Sequence, residues 1–163
     1  MDRKELKIPL ERVAILIGKD GEVKKKIESK MKVHLEIDSK EGDVFIEGDD
    51  SVTVFETVSI VKAIGRGFNP EIAALLFNED YSLELVNMQD YIGNSKKNML
   101  RIKGRVIGRE GKARKMIEQA TETHISVYGK TIGIIGEVNN VAVARQALEM
   151  LLEGAPHGNV FKW

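Results

Sequence analysis

The chain has 163 residues, of which 42% are hydrophobic and 31% charged, and its 25 Lys and Arg residues balance 25 Asp and Glu residues. This length fits one ordinary domain or two small ones with a buried core, and the absence of cysteine excludes disulfides, thiolate nucleophiles and Cys-ligated metal sites. Because no apolar run resembles a signal peptide or a membrane span, we expect a soluble cytoplasmic protein.

The first part of the chain predicts a small module built around a pair of glycines. Apolar residues recur at helical spacing on both sides of Gly18-Lys19-Asp20-Gly21, and they alternate with polar residues after it, as in half-buried strands. The predicted order is strand, helix, loop, helix, strand, strand and helix, at residues 6–8, 10–17, 18–21, 23–31, 33–37, 44–46 and 51–65.

The same pattern returns about 90 residues later. Ile17-Gly18-Lys19-Asp20-Gly21 matches Ile107-Gly108-Arg109-Glu110-Gly111, and the register then holds through the histidine pair His34 and His124. The second copy predicts a strand at 82–86, helices at 95–107, 113–120 and 139–152, and strands at 123–127 and 132–135. A repeat of this kind indicates two homologous modules, each with helices on one side of a sheet, which is an α+β fold.

The boundaries follow from the composition between the copies. We expect the first module at 1–68, a connection with a short helix opened by Pro70 at 69–80, the second module at 81–154 and a C-terminal tail at 155–163. Since no flexible Gly/Ser or Pro-rich linker separates them, we expect the two modules to pack rigidly against each other.

A GxxG loop between two helices has a physical use in nucleic-acid binding. Glycine lets a sugar–phosphate backbone approach closely, and the next helix begins there with unpaired N–H groups and the positive end of its dipole. KH modules use such a loop to clamp four nucleotides of single-stranded RNA. One GxxG is usually ordinary turn chemistry, but two copies with the same flanking elements favour two type I KH modules.

Charge is segregated toward the second copy. Residues 95–115 hold nine basic residues and one acid, whereas residues 36–56 hold eight acids and one lysine. A basic helix face that continues into the loop favours a polyanion partner. The candidate RNA contacts in the second copy are Lys97, Arg101, Arg105, Ile107, Gly108, Arg109, Glu110, Gly111, Lys112, Arg114, Lys115 and Ile125. Those in the first copy are Ile17, Gly18, Lys19, Asp20, Gly21, Lys24 and Lys25.

Within this site we expect different residues to contact the phosphates and the bases. The basic side chains track phosphates, while Ile107, Ile125 and Val127 offer apolar surface and main-chain edges to splayed bases. Asp20 and Glu110 point away from the phosphates.

Other chemistry has little support in the sequence. His34 and His124 occupy equivalent strand positions, which favours a structural role, and no Walker phosphate-binding sequence is present. The acids Asp43, Glu47, Asp49 and Asp50 fall at a strand–helix connection, where solvated acids and helix caps are common, although a Mg²⁺-dependent nuclease would also use such a cluster. We expect neither a catalytic metal nor a cofactor.

Three stretches, at residues 67–71, 104–112 and 144–160, resemble the archaeal form of the two-KH partner-of-Nob-one family, over nearly the whole chain. The resemblance implies a non-enzymatic factor of small-subunit ribosome maturation that binds ribosomal RNA near its 3′ end and works beside the endonuclease that trims it. It also implies an association with the α subunit of translation initiation factor two. Eukaryotic members have largely lost the first glycine loop, whereas this chain keeps it, so either RNA or protein remains open as the partner of the first module.

Two alternatives remain at this point. A KH protein of messenger-RNA binding, RNA decay or translation initiation would differ in the sequence that it binds. A protein scaffold would bind RNA weakly and with little salt dependence.

Overall fold

The computed structural model describes residues 1–93, 95–154 and 157–160. The chain divides into two compact units, Met1–Glu79 and Asp80–Trp163, and the boundary falls near the end of the predicted connection 69–80. Among the described residues, no helix combines the length and the apolar character that crossing a membrane requires.

The first unit has a three-stranded antiparallel sheet and three long helices. The strand order is β1-β3-β2, with β3 in the centre. Its elements are β1 (Asp2–Lys7), α1 (Leu10–Ile17), α2 (Glu22–Met31), β2 (His34–Ile37), β3 (Asp43–Gly48), α3 (Ser51–Gly65) and α4 (Pro70–Ala73), followed by a 3₁₀ turn at Ala74–Phe77.

The second unit repeats this architecture. Its sheet has the order β4-β6-β5 and is also antiparallel. Its elements are β4 (Tyr81–Asn87), α5 (Gln89–Ile92), α6 (Lys96–Ile107), α7 (Lys112–Thr121), β5 (His124–Tyr128), β6 (Thr131–Glu137), α8 (Val138–Leu152) and α9 (His157–Val160). The predicted α+β class and the repeated order of elements are confirmed.

The first strand is longer and earlier than predicted. It covers Asp2–Lys7 instead of 6–8, and Ile8 lies after it, 3% exposed. Asp2 to Glu5 show no apolar alternation because β1 is an edge strand whose residues are mostly exposed, and it is held by pairing with β3 and by contact with α3. Ion pairs of 3.6 Å and 3.4 Å, Arg3–Glu47 and Lys7–Asp43, reinforce this pairing.

Three further elements differ from the prediction. The helix expected from Pro70 to Phe77 divides into α4 and a tighter 3₁₀ turn, and the short helix α5 had no counterpart in the pattern. The predicted tail 155–163 contains α9, whose Val160 is fully buried, while residues 155, 156 and 161–163 lie outside the described part of the chain.

The cores fix the helices that border each glycine loop. In the second unit, Met99, Ile102 and Val106 form the inward stripe of α6, as their spacing predicted, with exposures of 8%, 3% and 0%. The helix after the loop is anchored by Ile117, and its counterpart in the first unit is Ile27. Buried side chains on both sides therefore hold each loop, whose own residues stay outside the core.

Candidate nucleic-acid interface

The two glycine loops have nearly identical backbones. The φ/ψ values of Gly18 and Gly108 are 77°/170° and 78°/172°, and those of Gly21 and Gly111 are 75°/14° and 76°/12°. In both loops the second glycine N–H donates to the carbonyl of the first over 3.1 Å. The sequence repeat is therefore a repeat of geometry down to single hydrogen bonds.

The first glycine of each loop is required by both conformation and packing. A Cβ on Gly108 would lie 2.6 Å from the backbone nitrogen of Ala113, and one on Gly18 would lie 2.5 Å from Cγ2 of Val23. Both glycines also have a positive φ that L-residues rarely adopt. The helix after the loop can pack this closely only against a residue without a side chain.

The helix after the second loop begins with backbone donors that no side chain caps, although the first of them, the N–H of Lys112, donates to the carbonyl of Arg109. α7 starts at Lys112, its N-cap is Gly111, and no side chain caps it. Arg109, Lys112 and Lys115 are exposed around this start. Uncapped N–H groups, the positive end of the helix dipole and basic side chains together favour a phosphate.

A glutamate ties each of these helices to the adjacent edge strand. Oε2 of Glu118 accepts the N–H of Ile125 over 2.8 Å, and Oε2 of Glu28 accepts the N–H of Leu35 over 2.9 Å. The two glutamates are equivalent in the repeat. Each fixes the distance between the helix and the edge strand of its sheet, two elements that carry candidate RNA contacts.

The role predicted for the Ile125 side chain is wrong. It is only 3% exposed and packs in the core of the second unit, so it offers no surface to a base. Its main-chain groups are also occupied, since the carbonyl accepts from Nη1 of Arg114 over 3.3 Å. Val127, two residues further and partly exposed, is the next position whose backbone faces this edge.

We expect Glu118→Ala to lower the free energy of unfolding of the second unit by about 2 kcal/mol, because it removes a charge-assisted acceptor from a part-buried N–H. Chemical denaturation of wild type and variant measures this difference. Glu118→Gln is the matched control, since it keeps a carbonyl acceptor in place and should lose clearly less. Equal losses in the two variants would contradict a role for this hydrogen bond.

Charge distinguishes the two sites more than loop shape does. Residues 19–26 carry four lysines and two acids, and residues 109–115 carry four basic residues and one acid. The helices before the loops differ far more: α1 has one acid and one arginine, whereas α6 has five basic residues and no acid. Arg12 of α1 is also committed inside its unit, donating to the carbonyls of Ile64 and Phe68 over 2.8 Å and 2.9 Å.

The basic residues predicted to share one face of α6 do so, and two of them line a groove. Lys97, Arg101 and Arg105 follow one another at intervals of four residues, as predicted. Arg101 and Arg105 line a groove toward α5 and the end of α8, together with Asn98.

In the first copy, Lys19 and Lys25 are exposed, Lys24 is half-buried, and Nζ of Lys25 donates to the carbonyl of Asp20 over 3.3 Å.

Gly104 is a glycine in the exposed interior of α6, where a Cβ would meet no atom within 4 Å. We expect Gly104→Ala to raise the free energy of unfolding by about 1 kcal/mol, because alanine loses less entropy in a helix. RNA affinity should nevertheless fall, since the added methyl group stands where a backbone passing from α6 to the loop would approach. Denaturation and RNA titration of one variant test both halves, and unchanged RNA affinity would contradict the close approach.

Three of the four acids considered for a metal site have other partners. Asp43 and Glu47 form the ion pairs of the first sheet, and Asp50 caps α3 by accepting the N–H of Val52 over 2.9 Å. Across the described ranges, no group of three or more His, Asp or Glu side chains is arranged to hold a metal ion. His34 contacts Glu28 over 3.2 Å, from an exposed position.

Comparison with known proteins agrees with this geometry. A model for the second KH domain of PNO1, described as a eukaryotic type KH domain of KH type I, matches residues 82–163, and a general KH-domain model matches residues 3–66. A KH domain-containing protein of Methanocaldococcus jannaschii is 49% identical over 97% of this chain and 70% of its own length. The chain belongs to the two-KH PNO1/Dim2 family.

Other proteins of the PNO1/Dim2 family match nearly the whole of this chain at lower sequence identity. The RNA-binding protein pno1 of Dictyostelium discoideum is 28% identical over 97% of this chain and 68% of its own length. Crystalline Dim2p of Pyrococcus horikoshii is 42% identical, with a TM-score of 0.92 over 99% of this chain and 97% of that one. The same TM-score and identity hold for the crystal structure of an a/eIF2α–aDim2p–rRNA complex from that organism, covering 99% of this chain and 90% of the matched one.

Proposed function

We propose that this protein is a non-enzymatic RNA-binding factor of small-subunit ribosome assembly. Its second module holds single-stranded ribosomal RNA near the 3′ end, on the loop Gly108–Gly111 and the basic residues beside it. The observation that carries this proposal is the uncapped start of α7 at a GxxG loop that follows the five basic residues of α6. A PNO1 relative named as a pre-rRNA-processing protein and an rRNA complex of a 42% identical protein support it.

The first module has a complete glycine loop but a neutral preceding helix. We propose that it assists RNA binding weakly or contacts a protein partner. The candidates are the endonuclease that trims the rRNA and the α subunit of translation initiation factor two. The Pyrococcus complex, which contains a/eIF2α beside aDim2p and rRNA, supports the second of them.

Salt dependence tests the RNA proposal directly. For single strands, log affinity falls against log salt with a slope of about −0.7 per neutralised phosphate, so about four phosphate contacts predict a slope near −3. The measurement is titration of a labelled oligonucleotide from the rRNA 3′ end across salt concentrations, in competition with an unrelated sequence of equal length. Weak binding without a salt slope would favour a scaffold, and equal competition would favour a KH protein with another RNA target.

A further inference from the structure

A second, polar groove lies beside the helix that leads into the second loop. Its volume is about 460 Å³. Elements of the second unit alone form it, with α6 on one side and α5 and the end of α8 on the other. The lining residues are Tyr91, Ile92, Asn98, Arg101, Ile102, Arg105, Leu152, Glu153 and Gly154.

The groove carries opposite charges on its two sides. Arg101 and Arg105 are four residues apart on α6, so their guanidinium groups occupy adjacent turns of one side. The other side holds Glu153 at the C-terminal end of α8, which is the negative end of its helix dipole. Tyr91 stays protonated there, because burial, its hydrogen bond to Glu149 and the charges of Glu149, Glu153 and Asp90 all raise its pKa.

Apolar side chains lie between these two charged sides. Ile102 and Leu152 are 3% and 4% exposed, and Ile92 packs against the same core. A ligand that matches the groove therefore needs an anion, an apolar face and a hydrogen-bond donor. Inorganic phosphate lacks the apolar face.

We propose that this groove binds one nucleotide of the RNA strand beyond the four that a KH loop clamps, a proposal that rests on the function proposed above. The phosphate meets Arg101 and Arg105, which match its oxygens in forked geometry. The base lies on Ile92, which is partly exposed, and its exocyclic amino group donates to Glu153. Adenine, cytosine and guanine carry such a group and uracil does not.

The groove lies close to the second loop, so an RNA strand that is bound to the loop can reach it. Arg105 precedes Gly108 by three residues, which is a rise of about 4.5 Å along a helix. A strand that leaves the loop along α6 therefore reaches Arg105 within one helical turn, and the exposed Gly104 leaves its path open.

The experiment starts from the shortest rRNA 3′-end oligonucleotide whose binding to the full chain depends on Arg109. One nucleotide is added at the 5′ end or at the 3′ end, with each of the four bases in turn. At one of the two ends, adding adenine, cytosine or guanine should raise the affinity about tenfold, and adding uracil should raise it clearly less. The salt slope should steepen by about 0.7 for the additional phosphate.

Variants on each side of the groove separate the contacts. Arg101→Ala should abolish the gain for every base, and Glu153→Ala should abolish only the preference over uracil. Lys103→Ala is the matched control, because Lys103 lies about 200° around α6 from Arg101 and outside the groove lining, and should leave the gain intact.

The outcomes distinguish this proposal from the one on which it rests. No gain at either end, or a gain that Arg101→Ala leaves unchanged, overturns the groove proposal while Arg109-dependent binding still supports the RNA-binding function. Failure to find any oligonucleotide that depends on Arg109 overturns both.

Discussion

Replacing Arg109 and Glu110 by two aspartates is expected to weaken binding of the rRNA oligonucleotide about tenfold or more and to reduce the salt slope by about 0.7 for the lost phosphate contact. Both residues are exposed at the tip of the second loop, so the change places negative charge where the backbone would lie without removing a core contact. Asp is tolerated at least as well as Glu at the positive φ of position 110, which is 55°. Titration across salt, with thermal unfolding of the same variant, makes the measurement.

The matched control is Lys19→Asp, which creates the same Asp-Asp pair in the first loop because Asp20 is already present. The two loops share their backbone geometry, so steric effects of the substitutions should be alike. The first site has only a neutral α1 beside it, and its variant should lose much less affinity. Equal losses would show that both modules clamp RNA, and unchanged binding in the second-loop variant would contradict the proposed site.

Long helices and central strands could be predicted from the sequence because burial imposes a period on them. Met99, Ile102 and Val106 recur at helical spacing, and Val44 and Ile46 alternate in β3, since one face of each element enters a core. β1 could not be placed in this way. Its residues are charged and exposed, so its register depends on the partner strand β3, which no local pattern shows.

The short helices after each module show a second kind of limit. α4 and α9 follow glycines with φ values of 100° and 95°, Gly67 and Gly154, spaced 87 residues apart, so the repeat extends beyond the closing helices. The glycine spacing was a usable signal. Pro70 and the apolar run after it did predict α4, whereas Val160 is a single apolar position among residues 157–160 and shows no periodicity of its own.

The candidate site, too, could be predicted only where its residues lie close together in the sequence. The loops and their basic neighbours could be found because they are local in sequence and repeated. The groove between Arg101 and Glu153 could not, because it depends on how the end of α8 packs against α6. The burial of Ile125 does follow from the strand alternation, since Ile125 and Val127 point to the same face of β5 and both pack on the core, and that alternation argues against offering their side chains to a base.

Gly108→Ala is expected to have the largest effect on stability at the site, a loss of about 3 kcal/mol in the free energy of unfolding of the second unit. The new Cβ would lie 2.6 Å from the backbone nitrogen and 2.7 Å from Cβ of Ala113, at a φ of 78° that disfavours any L-residue. Because one of the atoms in contact belongs to the backbone at the start of α7, no rotamer change relieves the clash. Denaturant unfolding followed by probes in the second unit measures the loss.

Gly111→Ala separates the cost of the positive φ from the cost of the clash with the helix after the loop. Its φ of 76° is almost the same, yet the nearest atom to a Cβ is Cε of Lys115 at 3.9 Å, the end of a flexible side chain. It should therefore lose only the conformational part, about 1 kcal/mol. If both variants lose the same amount, the packing of the first glycine against α7 contributes nothing beyond its φ. If Gly108→Ala loses more, as expected, the close packing of the loop against α7 contributes to stability, and RNA affinity of the folded variant should also fall because the start of α7 must shift.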